Sequence, residues 1–176
     1  MKRQPRGNGR SRSGDDAIAL LKADHRQVEK WFGQFENARD GRRKDELAKQ
    51  ICNALTVHTV IEEEIFYPAF YEATGNREIH HEAEVEHDGA KKLIADIEDS
   101  DSKDDYFDAR VTVLSEMIKH HVREEEKPGG MFAEARKSGM ELAELGERMR
   151  ARKVELEDDK APKGGIRGIA TRLLEA

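Results

Sequence analysis

Cysteine, proline and long apolar runs are scarce in this sequence of 176 residues, which contains one cysteine and four prolines. The single thiol of Cys52 excludes a framework of intrachain disulfides and a zinc site built from several thiolates, and it fits a reducing compartment. The longest apolar run extends from Ile65 to Tyr71, whereas a transmembrane helix needs about 20 apolar residues. No apolar stretch follows the basic N-terminus, so we predict no secretory signal. These absences predict a cytoplasmic protein without a membrane contact.

Charge is unevenly distributed along the chain. The net charge is −6, yet the first 14 residues contain five basic side chains and no acidic one. We predict that residues 1–14 form a disordered basic arm; contact with nucleic acid or with an acidic protein partner is the alternative. No basic helix with interleaved aromatic residues follows, so we expect no nucleic-acid binding, and a protein partner that binds the termini stays open.

Four long stretches show the apolar periodicity of helices, and each ends at glycine, proline or a cluster of polar residues. They cover residues 15–40, 44–71, 77–97 and 104–127. Because the connections between them are short, the pattern predicts an all-α fold, an up-down-up-down antiparallel four-helix bundle over residues 15–130.

A fifth amphipathic segment follows Pro128-Gly129-Gly130. Apolar residues recur three or four positions apart from Met131 to Met149, so we predict an additional C-terminal helix over residues 131–152 that packs on the bundle. A dimer contact is the alternative for this face. We predict a linker and short tail over residues 153–176, because the stretch from residue 155 to 165 is charged and rich in glycine.

Each of the four bundle helices has one histidine on its apolar face. These four residues are His25, His58, His87 and His121. Glu62 and Glu125 each follow a histidine by four residues, so each pair lies on one face about one helical turn apart. A glutamate that faces a core is costly unless it is paired or binds a metal. The first two helices form one hairpin and the last two form another, and each hairpin contains a histidine followed by a His-x-x-x-Glu pair. Because this pattern occurs twice, we predict a pseudo-twofold site for two metal ions.

Some alternatives within this site stay open at the level of sequence. His120 and Glu124 have the same spacing as His121 and Glu125; we prefer the second pair, because His121 shares its face with apolar residues. His80 lies two turns before His87 on nearly the same face and is a possible extra ligand. Tyr67 is another, and His81 is expected to be exposed. A metal-free bundle with polar histidines is the remaining alternative.

The combined motifs resemble hemerythrin-like proteins with the HHE cation-binding domain. They are Asp24-His25-Arg26, His58-x-x-x-Glu62 with Phe66-Tyr67-Pro68, Glu86-His87-Asp88-Gly89 and His120-His121-x-x-x-Glu125. The resemblance covers roughly residues 15–137 and implies a four-helix bundle around a non-heme di-iron centre. It implies six metal ligands, with both glutamates bridging: His25, His58, Glu62, His87, His121 and Glu125.

Two departures from that family bear on function. The oxygen-carrying hemerythrins have a further histidine where this chain has Lys91, whose ammonium cannot ligate a metal and is expected to point outward. Pro128-Gly129-Gly130 interrupts a segment that the family usually continues as a helix.

Four imidazole nitrogens and four carboxylate oxygens supply eight donors to two ions. With an oxo or hydroxo bridge, each iron ion keeps one open position. Zinc and manganese accept the same donors.

These features favour a protein that handles or senses a small oxidant or diatomic molecule, namely peroxide, nitric oxide or oxygen, over a reversible oxygen carrier. Whether it is an enzyme stays open. The alternative is a module for iron storage, iron sensing or stress-linked partner binding in which the metal is mainly structural. We expect apolar neighbours to keep the site dry: Trp31, Phe32, Ile61 and Phe66.

Overall fold

The computed structural model describes residues 16–160, and this part of the chain is helical without any strand. Its elements are α1 (Ala17–Asn37), α2 (Gly41–Ile61), a π-helical segment (Glu62–Phe66), α3 (Tyr67–Thr74), α4 (Arg77–Glu98), α5 (Phe107–Glu126), α6 (Met131–Lys137) and α7 (Leu142–Lys160). The basic arm predicted for residues 1–14 and the tail predicted beyond residue 160 lie outside the described residues. No described helix is long and apolar enough to cross a membrane.

The four long helices form the predicted antiparallel bundle. Helix α1 packs against α2 and α5, and α4 packs against α2 and α5, so the four helices enclose one central axis. Side chains of Asp16, Asp40 and Asn76 accept hydrogen bonds from backbone amides in the first turns of α1, α2 and α4, the capping expected at these positions. The predicted all-α bundle is therefore confirmed.

Two apolar clusters fill the bundle on either side of the histidines. One contains Ile18, Phe66 and Phe132, together with residues from α7. The other contains Phe32 and Phe107 and occupies the opposite half. The polar residues of the predicted metal site thus lie between two layers of apolar side chains.

The chain from Gly41 to Thr74 continues as one helical rod that changes register at the π-helical segment. Pro68 has no amide hydrogen, so in a regular α-helix the carbonyl four residues earlier would lose its donor and clash with the ring. Instead, the amide of Tyr67 donates to the carbonyl of Glu62, five residues earlier. This wider turn brings the side chains of Glu62 and Tyr67 to the same face of the rod, towards the bundle axis.

The C-terminal part differs from the prediction in two ways. The segment predicted as one helix over residues 131–152 is divided into α6 and α7, because Gly139 adopts a left-handed backbone with φ of 80°. The residues from 153 to 160, predicted as linker, continue α7. Helix α7 is anchored to the bundle where this extension begins, since Arg152 pairs with Glu64 and Lys153 pairs with Asp24.

Candidate metal centre

The structure brings together all six residues that the sequence singled out. The four histidines come from α1, α2, α4 and α5, while one glutamate begins the π-helical segment and the other lies in the last turn of α5. None of the six exceeds 5% exposure: His25, His58, Glu62, His87, His121 and Glu125. They occupy the bundle axis between the two apolar clusters.

The imidazoles are arranged as two pairs, one from each hairpin. The Nε2 atoms of His25 and His58 are 3.2 Å apart, and those of His87 and His121 are 3.3 Å apart. Two donors that bind the same first-row metal ion at about 2.0–2.2 Å lie roughly 3 Å apart. Each pair therefore has the spacing of two donors to a single ion.

The two glutamates join these pairs. Glu62 Oε2 lies 3.2 Å from Nε2 of His58 and 3.3 Å from Nε2 of His87. Glu125 spans the site through both its oxygens, with Oε2 at 3.4 Å from His25 Nε2 and Oε1 at 3.7 Å from His121 Nε2. Each carboxylate thus reaches one imidazole of each hairpin, which is the placement that bridging ligands require.

The outward-facing Nδ1 atoms of the histidines meet a second set of carboxylates, which reasoning from the sequence missed. The distances to carboxylate oxygens are 2.9 Å from His25 to Glu126, 3.1 Å from His87 to Glu63, 2.7 Å from His121 to Glu86, and 3.6 Å from His58 to Asp24. The first three are hydrogen bonds, and the fourth is longer. Such partners fix the ring orientation and leave Nε2 free for a metal.

We call these four the outer carboxylates. Each is adjacent in sequence to one of the six central residues, and this adjacency is the signal that could have identified them. Glu63 and Glu126 each follow a central glutamate, while Asp24 and Glu86 each precede a central histidine. None of these four carboxylates has a predicted role in the site. They are in fact half-buried, because the bundle turns them towards the histidine edges.

Cations surround this outer layer of carboxylates. Lys91 bonds to both oxygens of Glu63, at 2.6 and 2.8 Å, and remains about half exposed. Its ammonium therefore points away from the centre, as expected, and binds Glu63, the carboxylate that contacts His87. Lys153 of α7 donates to Asp24 in the same way.

The hydroxyl of Tyr67 lies within the centre. It is 3.1 Å from His87 Nε2, and it donates to Glu125 Oε1 at 3.2 Å, with Glu62 Oε2 at 3.4 Å. Burial, together with the charges of Glu62 and Glu125, raises the pKa of Tyr67 well above its ordinary value. Tyr67 therefore remains a protonated donor that faces the acidic side of the site.

The buried charges shift the pKa values of the site in opposite directions. Burial and the neighbouring His58 lower the pKa of His25 to about 4. Burial alone would also lower the pKa of His58, but attraction to Glu62 and Asp24 outweighs it and raises that pKa to about 10. Burial and the charge of Glu62 raise the pKa of Glu125. The metal-free centre thus retains protons that a bound cation would displace.

Two carboxylate oxygens without a hydrogen-bond donor indicate that the centre fits a cation. Within the described residues, Glu62 Oε1 and Glu125 Oε2 are buried and have no hydrogen-bond partner. A buried acceptor without a donor costs about 1–3 kcal/mol, and more when charged. Two sets of atoms have the spacing of metal ligands, one from His25, His58 and Glu62 and the other from Glu62, His87 and His121. The donor set therefore fits bound metal.

The structure shows the positions of the residues whose roles as ligands were open at the level of sequence. His120 is exposed and pairs with Glu86, and Glu124 pairs with Lys127, so neither joins the centre. His80 does not reach the centre either, because its ring packs against Tyr71 on the flank of α4, with centroids 5.3 Å apart. With His81 and Glu84 it forms a separate, partly exposed group whose donor atoms are within metal-ligand spacing.

A small cavity lies beside the four imidazoles. Its volume is about 20 Å³, enough for one molecule the size of water. Besides the histidines, its walls are largely apolar and include Val28, Leu55, Ala90, Ile118 and Val122. These are not the apolar residues expected from the sequence, because the cavity opens on the side of the histidines away from Phe66 and Ile61.

Two comparisons with known proteins, one of sequence and one of structure, found similar chains. In sequence, 110 residues are 29% identical to a DNA nickase from Nostoc sp.. The match covers 61% of this chain, and the chain spans about 30% of the length of that curated relative. In structure, the chain is similar to the crystal structure of a hemerythrin HHE cation-binding domain-containing protein from Mycobacterium kansasii. The TM-score is 0.70 at 21% identity, and the match covers 82% of this chain and 88% of the other.

The Hemerythrin HHE cation binding domain family matches residues 16–128. This range starts at the N-cap of α1 and ends just after α5, so it contains the bundle and all six central residues. Such a match, with clustered histidines and glutamates at its centre, indicates a metal-binding domain. The chain belongs to the hemerythrin HHE cation-binding domain family.

Proposed function

We propose that this chain binds two iron ions through its six central residues and uses them to handle or sense a small oxidant or diatomic molecule. His25 and His58 would hold one ion, His87 and His121 would hold the other, and Glu62 and Glu125 would span the two. The observation that supports this division is the pairing of Nε2 atoms within each hairpin, joined by carboxylates that reach both hairpins.

Iron is the metal that we favour. The donor set consists of imidazole nitrogens and carboxylate oxygens, and within the described residues no thiolate approaches it, since the buried Cys52 belongs to the other end of the bundle. Such donors suit iron, although they also accept zinc or manganese. When bound, a pair of iron ions supplies a redox-active centre with positions for exogenous ligands.

The protein's own residues would control what reaches this centre. The outer carboxylates hold the imidazoles in fixed orientations, and the apolar clusters separate the centre from water at the two ends of the bundle. The hydroxyl of Tyr67 presents a proton on the side of the glutamates. The cavity of about 20 Å³ beside the imidazoles has room for one molecule the size of water, which favours a very small ligand at this position.

Filling the cavity tests the proposal. Val28 lines it, and Val28→Leu adds one methylene, whose bulk roughly matches the free volume. We expect unchanged iron content but at least about a tenfold slower reaction of the ferrous chain with nitric oxide, followed by stopped-flow absorbance. Val111→Leu adds the same group to the apolar cluster away from the histidines and serves as the control. Equal rates for wild type and both variants would contradict a role for the cavity.

A structural or storage role for the metal is the alternative. In that case, removal of the metal would destabilise the bundle, but the loaded chain would not react with nitric oxide, peroxide or oxygen at a useful rate.

A further inference from the structure

A cleft of about 210 Å³ lies between α4, α5 and the turn that follows α5. Its walls have more carboxylates than any other kind of polar group: Glu78, Glu82, Glu86, Glu124 and Glu125. Since each water in the liquid occupies about 30 Å³, the cleft has room for a small ion with several waters of hydration. Glu78 and Glu82 are exposed at its outer rim, and Glu86 and Glu124 are half-buried further in.

The floor of this cleft is the metal centre itself. His121 and Glu125 both line it and are only 4% and 2% exposed. Within the described part of the chain, Glu125 Oε2 is buried without a hydrogen-bond partner. The cleft therefore connects a negatively charged rim with a buried carboxylate of which one oxygen lacks a donor.

The internal repeat of the fold shows that this cleft is not a general property of the bundle. His87 and His121 correspond to His25 and His58, which precede them by 62 and 63 residues. By the same offsets, Glu82 and Glu124 correspond to the apolar residues Leu20 and Ile61, at the other hairpin. There, Leu20 and Ile61 belong to the apolar cluster that also contains Leu145 and Met149 of α7.

Helix α7 therefore closes the counterpart of the cleft in the first hairpin. Asp24, which corresponds to Glu86, is paired with Lys153 of α7. Glu64, at the end of the same face, is paired with Arg152. The hairpin of α1 and α2 is covered by α7, which contributes apolar residues and two cationic side chains. Within residues 16–160, the hairpin of α4 and α5 has no such cover at its cleft, which is lined by carboxylates.

A different opening, between α1 and α5, has the opposite electrostatic character. This cleft of about 370 Å³ also reaches His25, but Arg26, Lys119 and Arg123 line it with two glutamates. A cation is attracted to clefts lined by negative charge and repelled from those lined by positive charge. Of these two clefts, the one between α4 and α5 is the suitable route for a cation.

A lysine already occupies the mouth of the acidic cleft. The ammonium of Lys127 pairs with Glu124 and lines the opening. Its side chain is about half exposed and flexible, so an incoming divalent ion can replace it next to Glu124.

We propose that the cleft between α4 and α5 is the route by which a hydrated ferrous ion reaches the metal centre, and that Lys127 competes with the incoming ion. The inference rests on the metal binding proposed above. It assigns a role to Glu78 and Glu82 that does not involve ligating the bound ions.

The test measures the rate of metal uptake by the full chain. Metal-free protein is mixed anaerobically with ferrous ion, and a chromogenic chelator that captures only free ferrous ion stops uptake at set times. The test variant is Glu78→Gln/Glu82→Gln. Its control, Glu144→Gln/Glu147→Gln, removes two exposed carboxylates from α7 and changes the net charge equally.

At low salt we expect uptake by the Glu78→Gln/Glu82→Gln variant to be slower by about fivefold or more, since charged clefts accelerate association by about 10–10³-fold. The difference should shrink at high salt, and the final iron content should match wild type. Lys127→Met should accelerate uptake by about twofold or more, because it removes a competing cation.

Equal uptake rates at low salt for the Glu78→Gln/Glu82→Gln variant, its control and wild type would overturn the proposed route. If they all still acquired two ions, the proposed function would stand and only the route would fail. If wild type acquired no iron, the metal binding would fail together with the route.

Discussion

Tyr67→Phe removes one hydroxyl from the centre and leaves the shape of the ring unchanged. In the metal-free chain that hydroxyl donates to Glu125 Oε1 at 3.2 Å and lies 3.4 Å from Glu62 Oε2. Without it, neither buried oxygen of Glu125 would have a hydrogen-bond partner, since Oε2 already lacks one among the described residues. The substitution thus tests whether the tyrosine supports the carboxylates or ligates the metal.

The expected cost differs between the two states of the protein. Because the pKa of Glu125 is raised to about 8, its carboxyl is neutral at pH 7 in the metal-free chain. A hydrogen bond to a neutral group is worth about 0.5–1.5 kcal/mol, and leaving a buried acceptor unpaired costs about 1–3 kcal/mol. We therefore expect the metal-free variant to lose about 2 kcal/mol of unfolding free energy. In the loaded chain, bound cations would satisfy the same oxygens, so the loss should fall below about 1 kcal/mol.

Urea unfolding of metal-free and iron-loaded protein, followed by circular dichroism, measures both losses. Tyr71→Phe is the matched control, because Tyr71 belongs to the same helix and is 39% exposed; it should cost little in either state. If Tyr67→Phe were to destabilise the loaded chain more than the metal-free chain, the tyrosine would act as a ligand and the reasoning would be refuted.

Two further predictions concern the metal-free chain and the backbone. The pKa of His58 is raised to about 10, so the stability from its protonated ring is present below pH 6.5 and is lost as the pH rises towards 10. The pKa of His25 is lowered to about 4, so stability also falls as the pH drops from 6.5 through 4, whereas the pKa of Glu125, raised to about 8, removes stability as the pH rises from 4.5 through 8. Melting temperatures of the metal-free chain measured from pH 4 to 10 should therefore be highest between about pH 4.5 and 6.5 and fall steadily above that range. Gly130→Ala should destabilise the chain by about 2 kcal/mol or more, because its Cβ would lie 2.2 Å from the carbonyl oxygen of Glu124. Gly33→Ala, with no atom in the way inside α1, should stabilise it by up to about 1 kcal/mol in the same thermal melts.

The bundle and the inner residues were predictable because they depend on helical periodicity. A histidine on an apolar stripe faces the core, and a glutamate four residues later lies one turn along the same face. That reasoning identified the six residues that the structure brings together, including His121 and Glu125 rather than their neighbours. The exposure of His120 shows why the apolar face was the right criterion.

Other features depend on contacts between helices, which the apolar periodicity of a single helix does not encode. The outer carboxylates bind histidines of different helices, as when Glu126 of α5 bonds to His25 of α1. The role of Tyr67 depends on the π-helical turn, which shifts it relative to an ideal helix. The length of α7 was underestimated because its charged residues pair with the bundle, as Lys153 does with Asp24.

Counting the bound metal most directly tests the central claim. Wild-type chain, purified without chelator and loaded anaerobically with ferrous ion, should contain about two iron ions per chain by elemental analysis, as expected for two pairs of imidazoles that share two carboxylates. Glu62→Ala should lose most of this iron, whereas Glu64→Ala, which removes an exposed carboxylate of the same π-helical segment, should retain it. Full occupancy in Glu62→Ala, or a wild-type chain without iron, would contradict the account.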